Sequence, residues 1–185
     1  MPRASNGPVR MVAFLRAINV GGHVVKMDRL REILTALDLA NMQTFIQTGN
    51  VVFDSSKKAG DLESAFEACL KKALGYPVAT FVRTTKELRD ILECPPVTAA
   101  ERKAALNIMV GFTRQPITAD AKSRLAELCG PIHQFRSHGR EIYWMRSKLG
   151  DFDDVRGSRM DKATGEATFR SLTTINKIVD KYGGD

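Results

Sequence analysis

Three features of the sequence predict an α+β fold of two ferredoxin-like (βαββαβ) subdomains, the second modified, with a C-terminal helix. Apolar segments run β-α-β-β-α-β over residues 10–84, the order of a split βαβ sandwich. A helix-and-hairpin order returns roughly 95 residues later, a spacing too long for a solenoid repeat. Between the two stretches, Pro95-Pro96 deny helix continuation and mark a boundary. The expected divisions are a disordered tail over 1–9, a first subdomain over 10–84, a helical linker over 85–104, and a second subdomain over 105–185.

The first strand is expected over Val9 to Ile18, a mostly apolar run that Gly21-Gly22 ends. A helix follows from about Met27, because Leu30, Ile33, Leu34 and Leu37 stand at i, i+3, i+4 and i+7. Gln43 to Gln47 and Val51 to Asp54 read as an antiparallel hairpin through Thr48-Gly49-Asn50. A helix from Asp61, its expected N-cap, to Leu74 carries Leu62, Phe66, Cys69, Leu70 and Ala73 on one face. Val78 to Arg83 completes the first set, and a short helix is expected over Lys86 to Leu92.

In the second half, Ala105 to Phe112 reads as a strand. Thr118 is placed to cap a helix with Ala121, Leu125, Leu128 and Cys129 on one face, stopped by Gly130-Pro131. Ile132 to Arg136 and Glu141 to Met145 form a hairpin around Ser137-His138-Gly139. Residues 148–165 carry no clear period, and the last helix shows Leu172, Ile175, Ile178 and Val179 on one side.

A chain of 185 residues with 43% hydrophobic content has enough apolar mass for a core in either half. Its apolar runs fall short of the ~20 residues that span a bilayer, and residues 1–10 hold no signal-peptide apolar region. No membrane partner is therefore expected, and the expected location is the cytoplasm. Cys69, Cys94 and Cys129 form no CxxC pair, which argues against a disulfide framework or a structural zinc. The net charge of +7 raises nucleic acid as a partner. However, residues 1–100 hold 13 Lys/Arg against 10 Asp/Glu and residues 101–185 hold 15 against 11, so no basic arm stands out.

The glycine loop after the first strand is the most informative feature, since a strand-Gly-Gly-helix junction can turn backbone N–H groups toward an anion. Lys26 adds a cation, while Asp28 opposes one. Neither GxxxxGK[ST] nor GxGxxG is present, so no cofactor is expected. A plain structural turn accounts for the same glycines.

The run LRAINVGGHVVKMDRLREIL followed by TFIQTGNVVFDS resembles the DUF1697 family of uncharacterised proteins. Leu15, Arg16, Ile18 to Gly22, Lys26, Met27, Leu30, Arg31, Ile46, Gln47 and Gly49 to Phe53 fit its pattern. Ala17 stands where glycine is usual in that family, and Thr48 where serine is. Further on, Thr168, Arg170 and Thr174 fit a T-x-R-N-W-x-T-like motif in which Ser171 and Leu172 replace Asn and Trp. The resemblance is specific over residues 10–54, looser beyond, and implies two ferredoxin-like subdomains. It implies no function.

The two matched segments place Arg16 and Asn19 at one strand end, with Gln47, Gly49 and Asn50 at a neighbouring turn. With Gly21, Gly22, Lys26 and Arg170 these make the expected ligand-binding set, in a cleft between the lobes. The leading expectation is non-catalytic binding of an anionic small molecule or nucleotide. The bland alternative is that the amides and arginine only brace the loops. A second function is nucleic-acid binding on the sheet, with Tyr143 and Trp144 beside Arg140 and Arg146 as its best aromatic and basic patch. A third is an enzyme using the same cleft, with His23 or a carboxylate as its catalytic group. Cys129, His133 and His138 have a spacing that a metal could use, and Asp151, Asp153 and Asp154 could hold a hard cation. A core thiol and a solvated acidic loop are the favoured readings, so no metal is expected.

Overall fold

The computed structural model describes residues 7–19, 21–46, 49–93, 95–147, 155 and 158–184. It is a mixed α+β protein with two four-stranded antiparallel sheets, each accompanied by helices. The chain divides into two units, Met1–Leu88 with Ile178–Asp185, and Arg89–Lys177.

In the first unit, β1 (Val9–Leu15), β2 (Ala40–Phe45), β3 (Asn50–Ser55) and β4 (Thr80–Thr84) lie in the order β2-β3-β1-β4. Helices α1 (Met27–Leu34) and α2 (Ala59–Leu74) fill the two crossovers. The order and pairing are consistent with a ferredoxin-like half. Met11, Ala13 and Leu15 of β1 pack with Val51, Phe53 and Val82 beneath Leu30, Ile33, Leu34, Leu62, Phe66 and Leu70. Full burial of each large apolar side chain contributes about 1.5–3 kcal/mol. The intervening Val12, Phe14, Val52 and Phe81 are also fully buried, which explains why β1 reads as a continuous apolar run.

Strand β4 forms an edge of this sheet, and its outward N–H groups are covered. Those of Thr80, Val82 and Thr84 donate to Glu67 Oε1 (2.9 Å), Glu63 Oε1 (2.8 Å) and Glu87 Oε2 (2.7 Å). The last bond is half of a capping box, completed by the Glu87 N–H donating to Thr84 Oγ1 at 3.1 Å. It starts α3 (Thr85–Glu93).

Asp61 does not cap α2. Lys58 holds the N-cap position with no side-chain bond, and Asp61 lies inside the first turn, where its charge complements the helix dipole.

The second unit contains α4 (Ala99–Ala104), capped by a Thr98–Glu101 box. Its strands β5 (Asn107–Phe112), β6 (His133–His138), β7 (Glu141–Arg146) and β8 (Thr168–Ser171) repeat the pattern as β6-β7-β5-β8. Helix α5 (Ala119–Glu127) begins at Thr118, whose hydroxyl accepts the Ala121 N–H at 3.1 Å. Leu125, Phe135, Ile142 and Trp144 pack with Met160 and Ala163 of α6 (Ser158–Thr164). The β6–β7 turn is Gly139-Arg140, because Ser137 and His138 still pair with Ile142 and Glu141. Gly139 takes φ 54°, the left-handed conformation that such short hairpin turns require.

Gly111 of β5 faces Phe169 of β8, whose ring would lie 2.5 Å from any added Cβ. Helix α7 (Leu172–Tyr182) closes the chain. Ser171 Oγ accepts the Thr174 N–H at 3.1 Å at its start, so serine does the capping that an asparagine there could also do. Among the described residues no helix is long and apolar enough to cross a membrane.

Candidate functional site

The two glycine-bearing segments meet at the end of β1. The Leu15 N–H donates to the Gly49 carbonyl at 2.8 Å, and a Cβ added to Gly49 would lie 3.0 Å from Ile18 Cγ2 and 3.1 Å from Leu15 Cβ. Gly49 therefore allows the β2–β3 turn to close against the loop after β1. Its φ of 75° adds a second reason for glycine.

That loop is held at both of its ends. Asn19 Oδ1 accepts the Val25 N–H at 2.7 Å. The Tyr76 hydroxyl donates to the Ile18 carbonyl at 3.1 Å, and the Tyr76 ring stacks on His23 with centroids 3.9 Å apart. Gly21 and Gly22 take φ 70° and 86° with nothing within 4 Å of an added Cβ, so the backbone here is open.

Two non-glycine residues share the left-handed region nearby: Ala17 at φ 53° and Ile46 at φ 59°. The first stands at the position where the resembled family has glycine, and the second is β-branched, for which this region is costly. Strain thus falls on both loops.

The expected ligand groups separate by role. Arg16 is half-buried, and its backbone N–H continues the sheet to the Ala79 carbonyl at 2.8 Å. Lys26 is exposed at the N-cap of α1. Asp28, the unfavourable charge for an anion, pairs with Arg31. Asn50 is fully buried, and its amide donates to the Phe45 carbonyl at 3.0 Å, which makes it a brace of the hairpin turn. Gln47 lies outside the described residues, as do Cys94 and the acidic run at 151–154.

Arg170 belongs to β8 of the second unit. It is buried and donates from Nη1 to Thr168 Oγ1 and to the Phe169 carbonyl, both at 2.9 Å. Desolvation pushes its pKa down to about 10, so it stays charged at neutral pH.

Tyr143 and Trp144, the aromatic patch anticipated for nucleic acid, are both buried and present no ring for a base. Trp144 instead donates its indole N–H to His133 Nδ1 at 3.1 Å. Among the described residues no group of three or more His, Cys, Asp or Glu is arranged to hold a metal ion.

A feature absent from the sequence reading is a concavity of about 400 Å³ in the second unit, lined by Arg114, Thr118, Arg124 and Glu166 among others. Arg124 pairs with Asp120 and donates to the Ala163 carbonyl, while Arg114 stands 4.0 Å from Glu166. Its cations are already balanced by carboxylates. The arginines carry no motif, so only the Thr118 cap and Ala121 of its helix pointed to this part of the chain.

A family model described as "Protein of unknown function (DUF1697)" matches residues 9–143, well over half of the chain. The chain belongs to the DUF1697 family. The DUF1697 match contains the whole loop pair and stops before the Thr168–Thr174 segment. Among solved structures, the chain is similar to conserved bacterial protein SP0830 from Streptococcus pneumoniae. The TM-score is 0.75 at 20% identity, over 96% of this chain and 99% of that one. At that identity the likeness concerns the fold alone. No curated protein matches.

Proposed function

We propose that this DUF1697 protein binds an anionic small molecule or nucleotide at the loop pair formed by Asn19–Lys26 and Gly49–Asn50. The observation that supports it most is the open Gly21-Gly22 backbone on an exposed loop whose flanks are fixed by Asn19, Tyr76 and Gly49. A loop ordered in advance loses little conformational entropy on binding, so more of the contact energy appears as affinity. Arg16 and Lys26 supply positive charge, and the two glycines let a ligand approach the main chain closely. Asn19, Gly49 and Asn50 shape the site rather than touch the ligand.

A thermal-shift screen of nucleotides and phosphorylated metabolites tests this reading. A ligand at 100 times its Kd should stabilise the protein by about 2.7 kcal/mol. Arg16→Ala should abolish that shift. An unmoved melting point across the screen, or a shift indifferent to Arg16→Ala, contradicts the proposal.

A further inference from the structure

Resting on the anion site proposed above, we infer that the outer face of the His23 ring is a platform for the planar base of a nucleotide. His23 follows Gly22 directly and is exposed, while one face of its ring is covered by Tyr76 at 3.9 Å with an interplanar angle of 23°. Tyr76 is itself held, because its hydroxyl donates to the Ile18 carbonyl and its chain leaves α2 through the left-handed Gly75. The stack therefore orders the imidazole before any ligand arrives, while the residue as a whole stays exposed.

A flat ring fixed in this way has little rotamer freedom left to lose. Base stacking on such a ring tolerates any base, since every base presents a π-face. The same loops also carry exposed apolar side chains: Val24 is 83% and Ile46 46% exposed, two of the few large hydrophobic side chains left in solvent among the described residues. The position in sequence beside Gly21-Gly22 and Lys26 puts a base platform and an anion subsite on one short loop. His23 acts here by its ring face, without proton transfer.

The test is calorimetric titration of the full-length protein with the four ribonucleoside 5′-monophosphates and with ribose 5-phosphate, which lacks the base. Nucleotides should bind about 5- to 150-fold more tightly than ribose 5-phosphate, the range that base–aromatic stacking contributes. His23→Ala should bring nucleotide affinity down to that of ribose 5-phosphate, and His23→Phe should restore the difference. If ribose 5-phosphate binds as tightly as the nucleotides, or if His23→Ala leaves the base-dependent difference intact, the platform is overturned while the anion site stands. If none of these probes binds, the platform and the anion site both fall.

Discussion

Asn19 Oδ1 accepts the backbone N–H of Val25 at 2.7 Å, six positions on, and so ties together the two flanks of Gly21-Gly22. Asn19→Ala removes the acceptor and should cost about 1 kcal/mol of stability. It should also speed hydrogen exchange at the Val25 amide. Asn19→Asp keeps the acceptor, so Val25 should stay protected, yet the added negative charge should weaken anion binding. The two variants separate bracing from electrostatics.

Gly49 and the pair Gly21-Gly22 share positive φ but not surroundings. An added methyl at Gly49 meets Ile18 and Leu15 near 3 Å, whereas at Gly21 or Gly22 it meets nothing within 4 Å. Gly49→Ala should therefore destabilise by about 2–4 kcal/mol from strain and overpacking together. Gly21→Ala should cost only the backbone part, about 1–2 kcal/mol. Urea denaturation of the two variants checks the ranking.

Glu63 is almost wholly buried and accepts the N–H of Val82 on the edge strand β4. Glu63→Ala should leave that donor unsatisfied at a cost of about 1–3 kcal/mol. With Glu67→Ala added, two outward N–H groups of β4 lose their cover, and exposed edges invite pairing with another chain. Sedimentation velocity should show increased self-association of the double variant.

Asp54 is held below the usual carboxylate range, chiefly by the Arg10 side chain and further by Asn41. A depressed folded-state pKa contributes stability above the unfolded value, and that contribution is lost as pH falls through the folded one. Wild type should exceed Asp54→Asn by about 1 kcal/mol at pH 7. The gap should close as pH falls below about 4, measured by denaturation across pH.

Much of the first unit could be read from the sequence, because its apolar residues keep strict periods. The Leu30, Ile33, Leu34 stripe and the Gly21-Gly22 and Gly49 punctuation each name their own element. Strand β8 could not be read: its four residues are Thr-Phe-Arg-Ser, and the two that are buried, Thr168 and Arg170, are polar. Helix α6 has seven residues, too few to show a period.

The meeting of the two glycine-bearing segments was legible in the sequence, the role of each side chain there less so. An asparagine at a turn looks the same in sequence whether its amide meets a ligand or, as for Asn50, the carbonyl of Phe45. The His23–Tyr76 stack joins residues 53 positions apart, a proximity that no local pattern encodes.

The central claim is that ligand binding occurs at the loop pair. Amide chemical-shift mapping of the isotope-labelled protein during titration with a nucleoside monophosphate tests it most directly. The account predicts perturbations concentrated at Gly21, Gly22, His23, Lys26 and Gly49, saturating together. Perturbations confined to the second unit's concavity around Arg114 and Arg124, or none at saturating ligand, would contradict it.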